Sequence, residues 1–140
     1  MPKSLFVNLP VADLAASTRF YASIGCVKNA QFSDDKASSM AWSDAITFQL
    51  LTRAYFSTFS PKPVADAQQT CQVMLALTRD SRADVDAIVK AAVSAGGKAD
   101  IRGAMDLGWL YNRSFADPDG HLLEAVWVDT KAMGMSGAGA

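Results

Sequence analysis

A chain of 140 residues, 50% hydrophobic and 19% charged, has the size and composition of one compact domain that buries its own core. The formal net charge of -1, with no run of Lys or Arg, gives no electrostatic reason to bind nucleic acid or an anionic membrane surface. Cys26 and Cys71 are the only cysteines, which reads as two reduced thiols in a cytoplasmic protein and not as a disulfide framework; no secretory leader pattern and no uncharged apolar run of the roughly 18 residues a spanning helix needs is visible.

Along the chain, Leu5, Val7 and Leu9 alternate with Phe6 and Asn8 as in a strand. Asp13 then suits an N-cap, Leu14, Ser17, Tyr21 and Ile24 form one helical stripe, and Gly25 fits the helix end. Three short strands are expected at about 26–32, 38–43 and 45–52, separated by Ser33-Asp34-Asp35 and Ser43-Asp44 turns. Asp34 and Asp35 read as a solvated turn, not a catalytic pair. Residues 54–69 contain Pro61 and Pro63 and read as a linker, with Tyr55, Phe56 and Phe59 as candidates for a hydrophobic lid.

The pattern then repeats. A β-like run covers Gln72 to Thr78, and Ser81 with Asp84 resembles a capping box. Val85, Ile88, Ala92 and Ala95 form a helical stripe stopped by Gly96-Gly97. Strands are expected at about 98–104, 109–116 and 121–128, the last two joined by Asp117-Pro118-Asp119-Gly120. The chain is therefore α+β, two βαβββ units of about 1–53 and 70–129 within one domain of 1–129, followed by a flexible tail of 130–140. The only histidine, His121, reads as part of the hairpin turn.

Two βαβββ units in this length resemble the vicinal oxygen chelate superfamily of glyoxalase I, bleomycin-resistance proteins and extradiol dioxygenases. The resemblance is carried by "FVNLPVADLAASTRFYASIG" (6–25) and "FADPDGHLLEAVWVD" (115–129), and is strongest to the bacterial branch described as predicted lactoylglutathione lyases. It implies curved sheets combining into a barrel-like cleft for a small molecule, and a homodimer that completes the clefts. In metal-dependent members one divalent ion is held by four side chains, from the first and fourth strand of each unit. Here those positions fall on Phe6, Gln49, Met74 and Glu124.

Strand parity gives the cleft wall. If Val7, Phe48, Leu75 and Leu123 pack under the helices, then Phe6, Asn8, Thr47, Gln49, Gln72, Met74, Leu122 and Glu124 face the other way. Tyr111 and Arg113 are counted with them as possible partners of Glu124. Arg113 opposes Glu124 if the turn is a plain four-residue loop, whereas a bulge at Gly120 brings Ser114 opposite instead. Only Glu124 and Gln49 of the four implied positions offer oxygen ligands, so one metal ion or none is expected.

Glu124 has three readings: a carboxylate satisfied by Arg113, Tyr111 or Asn8, a ligand anchor or general base, or a metal ligand. The function expected is binding of a small molecule without the full metal site. The alternative is a glyoxalase-like lyase or isomerase acting on a small thiol adduct with Glu124 as base or ligand.

Overall fold

The computed structural model describes residues 2–132. The last eight residues of the expected flexible tail, 133–140, lie outside that range. The first unit runs β1 (Leu5–Val11), α1 (Leu14–Ser23), β2 (Val27–Lys28), β3 (Ala37–Ala41) and β4 (Ile46–Thr52). The second runs β5 (Met74–Thr78), α3 (Arg82–Ser94), β6 (Lys98–Ala99), β7 (Met105–Asp106), β8 (Leu110–Ala116) and β9 (Leu122–Val128). Between them, α2 (Arg53–Phe59) turns the start of the expected linker into helix. Thr52 caps it by accepting from the Tyr55 amide at 3.3 Å, a service the sequence offers only once the preceding strand has ended.

The two longer helices, α1 and α3, also begin where their caps stand. The Asp13 carboxylate accepts from the Ala16 amide at 3.0 Å, and the Ser81 hydroxyl accepts from the Asp84 amide at 3.0 Å. Each satisfies a backbone donor that has no partner inside the helix.

The fold is mixed α+β with two separate sheets, and among the described residues neither closes into a barrel. The first has the order β1-β4-β3-β2 and the second β5-β9-β8-β6, with β7 alongside β8. In each, the first strand lies parallel to the last of its unit. The registers match: Phe6 partners Thr47 and Asn8 partners Gln49, as Met74 partners Leu122 and Ala76 partners Glu124. Gln49 and Glu124 therefore hold corresponding places in the two repeats.

One core serves both units. Val7, Leu9, Phe48 and Leu50 join Leu77, Leu123 and Ala125 in a single apolar cluster with α1 and α3. Phe20 and Phe115 meet across the unit boundary, ring centroids 6.4 Å apart. Burying each such side chain contributes roughly 1.5–3 kcal/mol, so neither unit buries its face without the other. Gly97 of the second unit lies at this boundary: a β-carbon there would stand 2.7 Å from the Phe20 ring of the first unit and 2.4 Å from the Ala116 carbonyl oxygen of its own.

The hairpin turn at 117–121 clamps the units together. Tyr21 Oη donates to Asp117 Oδ2 at 2.8 Å in a buried contact, while Asp117 Oδ1 accepts from the Asp119 and His121 amides, both at 2.9 Å. Asp119 accepts from the Ala12 amide at 2.8 Å and the Ser17 hydroxyl at 3.2 Å. His121 Nε2 lies 2.8 Å from the Pro10 carbonyl oxygen. Burial pushes the Asp117 carboxyl above its usual range, against the pull of His121 and of the hydrogen bond from Tyr21. Donor atoms of Asp117, Asp119 and His121 lie within 4.8 Å of one another, and the bonds just named account for that convergence.

Gly120 makes this turn possible. Its φ of +93° is a conformation L side chains rarely adopt, and an added β-carbon would stand 2.8 Å from the Ala67 carbonyl oxygen. The extra residue forms the bulge that pairs Ser114, not Arg113, with Glu124.

Candidate functional site

The sheet faces turned away from the helices, here called the open faces, carry the chemistry. In the first unit Phe6, Asn8, Thr47 and Gln49 stand on this face, opposite in parity to the core residues Val7, Leu9, Phe48 and Leu50. In the second, Met74, Leu122 and Glu124 share it with Asn112 and Ser114. Phe6 and Met74 are 61% and 58% exposed, a large apolar exposure for strand residues.

Three expected cleft residues stand elsewhere. Tyr111 and Arg113 have the parity of buried Phe115 and point toward α3. Tyr111 Oη donates to Asp86 at 2.7 Å; Arg113 donates to Asp86 at 2.9 Å and to Asp100 at 2.8 and 3.1 Å. Bonds from Tyr111 and then Arg113 lower the Asp86 carboxyl, and those from Arg113 lower Asp100. The bulge shifted the ladder by one residue, which turned this pair of side chains to the helix side. Gln72 precedes β5 and lines a cavity of about 330 Å³ between the units, together with Cys71, Val73 and His121.

Glu124 has a partner that the sequence did not suggest. The Arg102 guanidinium forms an ion pair with it, donates to Asn112 Oδ1 at 2.7 Å and to the Gly103 carbonyl at 3.1 Å. The Glu124 side chain is only 14% exposed, so pairing offsets a desolvation that a lone carboxylate would bear in full. Strand parity could have found Arg102. The β6–β8 register of Lys98 with Ala116, carried forward four residues, brings Arg102 opposite Asn112 on the open face. The ladder itself lapses at Asp100, whose φ is +51°, so this residue lies in loop and not in the expected 98–104 strand.

The open face of the first unit borders a cavity of about 740 Å³. Gln49 and Leu51 form part of its floor, and Tyr55, Phe56 and Phe59 of α2 stand along its side with Phe32. Tyr55 and Phe59 meet edge to face, centroids 5.0 Å apart. The proposed lid residues thus line a cavity, and Phe56 lines both it and the cavity between the units. Gln49 Oε1 is sealed from solvent and has no hydrogen-bond partner among the described residues.

On the other side of the second sheet, Arg82 lies over the rings of Tyr111 and Trp127, 5.2 Å from each centroid, and pairs with Asp106 at 2.8 Å. The Arg82 hydrogen bond, with the Gly108 amide, holds the Asp106 carboxyl at about 2. Trp42, on the first unit, lies under Arg79 of the second, 5.5 Å away. Two of the three tryptophans therefore serve packing and cation–π contacts away from the open faces. No helix among the described residues is long and apolar enough to cross a membrane.

Residues 4–125 match the model of the Glyoxalase/Bleomycin resistance protein/Dioxygenase superfamily. Solved structures of similar fold include a hypothetical protein of S. aureus, at 25% identity and a TM-score of 0.75, over 91% of this chain and 94% of that one. A glyoxalase/bleomycin resistance protein/dioxygenase family enzyme of Burkholderia phytofirmans PsJN matches at 17% identity and 0.72, over 88% and 96%. The antibiotic-binding protein TnmS3 of Streptomyces sp. CB03234 matches at 20% identity and 0.63, over 91% and 97%. No curated protein matches the chain.

Proposed function

This chain belongs to the Glyoxalase/Bleomycin resistance protein/Dioxygenase superfamily, and from that membership we propose that it is a metal-independent small-molecule-binding protein whose open sheet faces hold the ligand. The observation that carries this reading is the ion pair of Glu124 with Arg102. The four positions implied for a metal are Phe6, Gln49, Met74 and Glu124. Phe6 offers no donor and Met74 only a soft thioether, while the Glu124 carboxylate is engaged by a guanidinium. This set does not fit a divalent ion, which takes several nitrogen or oxygen donors. The exposed Phe6 and Met74 instead suit an apolar ligand, and their exposure supports a homodimer in which a second copy covers part of each open face. Among similar folds, the Streptomyces protein is described as antibiotic-binding.

Native mass spectrometry and metal analysis of protein purified without chelator test the reading together. The expected result is a dimer carrying a small organic adduct and no stoichiometric metal. Nickel, cobalt, zinc or manganese bound one per chain, and lost in Glu124→Gln, would overturn it. The competing lactoylglutathione-lyase-like reading predicts turnover of the methylglyoxal–glutathione hemithioacetal that Glu124→Gln abolishes. In that reaction Glu124 would meet substrate only by exchanging its Arg102 partner.

A further inference from the structure

Apart from the open faces, we infer that the cavity between the units is a second site, and that residues 61–70 form a strap that swings aside to admit a small, uncharged, apolar molecule to it. The cavity holds about 330 Å³, at the lower end of the range for small-molecule sites. Both units build one side of it, through Val7 and Leu9 of β1, Leu75 of β5 and Leu122 of β9. The strap supplies another side, with Val64 and Ala67. None of Phe6, Gln49, Met74 and Glu124, the positions implied for a metal, lines it.

The strap is held lightly. Among the described residues its hydrogen bonds to the body come from two side chains. Arg53 donates to the Val64 and Ala65 carbonyls at 3.4 and 3.3 Å, and Gln68 Nε2 donates to the Pro118 carbonyl at 3.1 Å. These bonds are solvent-exposed, and the strap's other bonds stay within it or reach Ser60 at its base. Within 61–70 only Val64 and Ala67 are half-buried, and both line the cavity. A segment with so few buried contacts and exposed bonds opens at low free-energy cost. It also has a seat to close on: a β-carbon at Gly120 would stand 2.8 Å from both the Ala67 carbonyl oxygen and Gln68 Oε1, so the glycine leaves the strap its place against the turn.

The ligand class follows from the walls. No Lys, Arg, Asp or Glu is among the lining residues, so an ionised ligand would lose its hydration without meeting an opposite charge. The aliphatic side chains of both units and the strap, with Phe56 of α2, favour apolar surface instead. The Nε2 of His121, another lining residue, faces the Pro10 carbonyl oxygen, which can only accept, so that nitrogen carries the hydrogen and the bond fixes the ring. The sheet side of the cavity is thus held by strands and by the clamp, while the strap side is the one free to move.

The probe is 6-propionyl-2-(dimethylamino)naphthalene, an uncharged dye whose emission shifts to the blue in apolar surroundings. Wild-type protein is expected to bind it, naphthalene to displace it and 2-naphthoate to leave it in place. Val64→Asp, which puts a charge on the strap, should weaken the dye at least about tenfold. Arg53→Ala/Gln68→Ala should speed dye uptake and release several-fold in stopped flow. The same variant should raise subtilisin cleavage within 61–70 about tenfold, because cleavage follows the population of the opened form, and bound dye should slow it. Unaltered uptake in a variant whose strap is cut faster overturns the gate, and displacement by 2-naphthoate overturns the ligand class. Absence of dye binding, or dye binding that survives Val64→Asp in protein with a native circular dichroism spectrum and is lost in Tyr55→Ala, overturns the site. An organic adduct that purified Val64→Asp still carries in native mass spectrometry would then leave the open-face reading standing while this inference falls.

Discussion

The guanidinium of Arg102 spans the open face of the second sheet, joining Asn112 on β8 to Glu124 on β9. This one side chain decides what Glu124 can do. A carboxylate held by an arginine is neither a free metal ligand nor a free base, and its neighbours Leu122 and Val126 can stay apolar.

A double-mutant cycle on this pair should show strong coupling. Arg102→Ala and Glu124→Ala are each expected to cost about 1–2 kcal/mol, moderated by the 40% exposure of the Arg102 side chain. The double variant should cost less than their sum by roughly 1 kcal/mol. Urea unfolding midpoints measure all four states, and additive costs would show that the pair contributes nothing as a pair.

Tyr21→Phe removes the only side-chain donor to Asp117 Oδ2 among the described residues, in a buried contact between units. Asp117 is buried, so the carboxylate oxygen left without its partner is expected to cost about 1–3 kcal/mol. The variant should unfold in one transition, because α1 and α3 share one core across the unit boundary. Separate transitions for the two units, followed by far-UV circular dichroism and tryptophan fluorescence, would contradict that shared-core account.

The two thiols should differ sharply in reactivity. Cys26 is buried and burial pushes its thiol up to about 12, so it stays protonated at pH 8; Cys71 is exposed. Native protein at pH 8 should release one equivalent from an aromatic disulfide reagent, rising to two in denaturant. Cys71→Ser should bring the native value to zero. Rapid release of two equivalents from folded protein would show that the α1 end opens readily.

The repeat, its caps and its strand parity were legible because they depend on local rules. Asp13 and Ser81 cap helices through bonds that span three residues. Alternation alone places Val7, Phe48, Leu77 and Leu123 in the core, and Phe6, Gln49, Met74 and Glu124 on the opposite face. Matching the two strand–helix units was enough to put Gln49 and Glu124 in corresponding places.

Partners are set by a different scale of information. Whether Arg113 or Ser114 opposes Glu124 turned on one bulge residue, Gly120, and a shift of one residue sends a side chain to the other face of the sheet. That is why Tyr111 and Arg113 serve α3 and Arg102 serves Glu124. His121 and its neighbouring aspartates proved to be a clamp for the same reason: their partners Pro10, Ala12, Ser17 and Tyr21 lie about a hundred residues away in the chain. Periodicity tells a residue which side to face. Only the packed chain brings the distant donor that determines whether a carboxylate there is a ligand, a base or half of an ion pair.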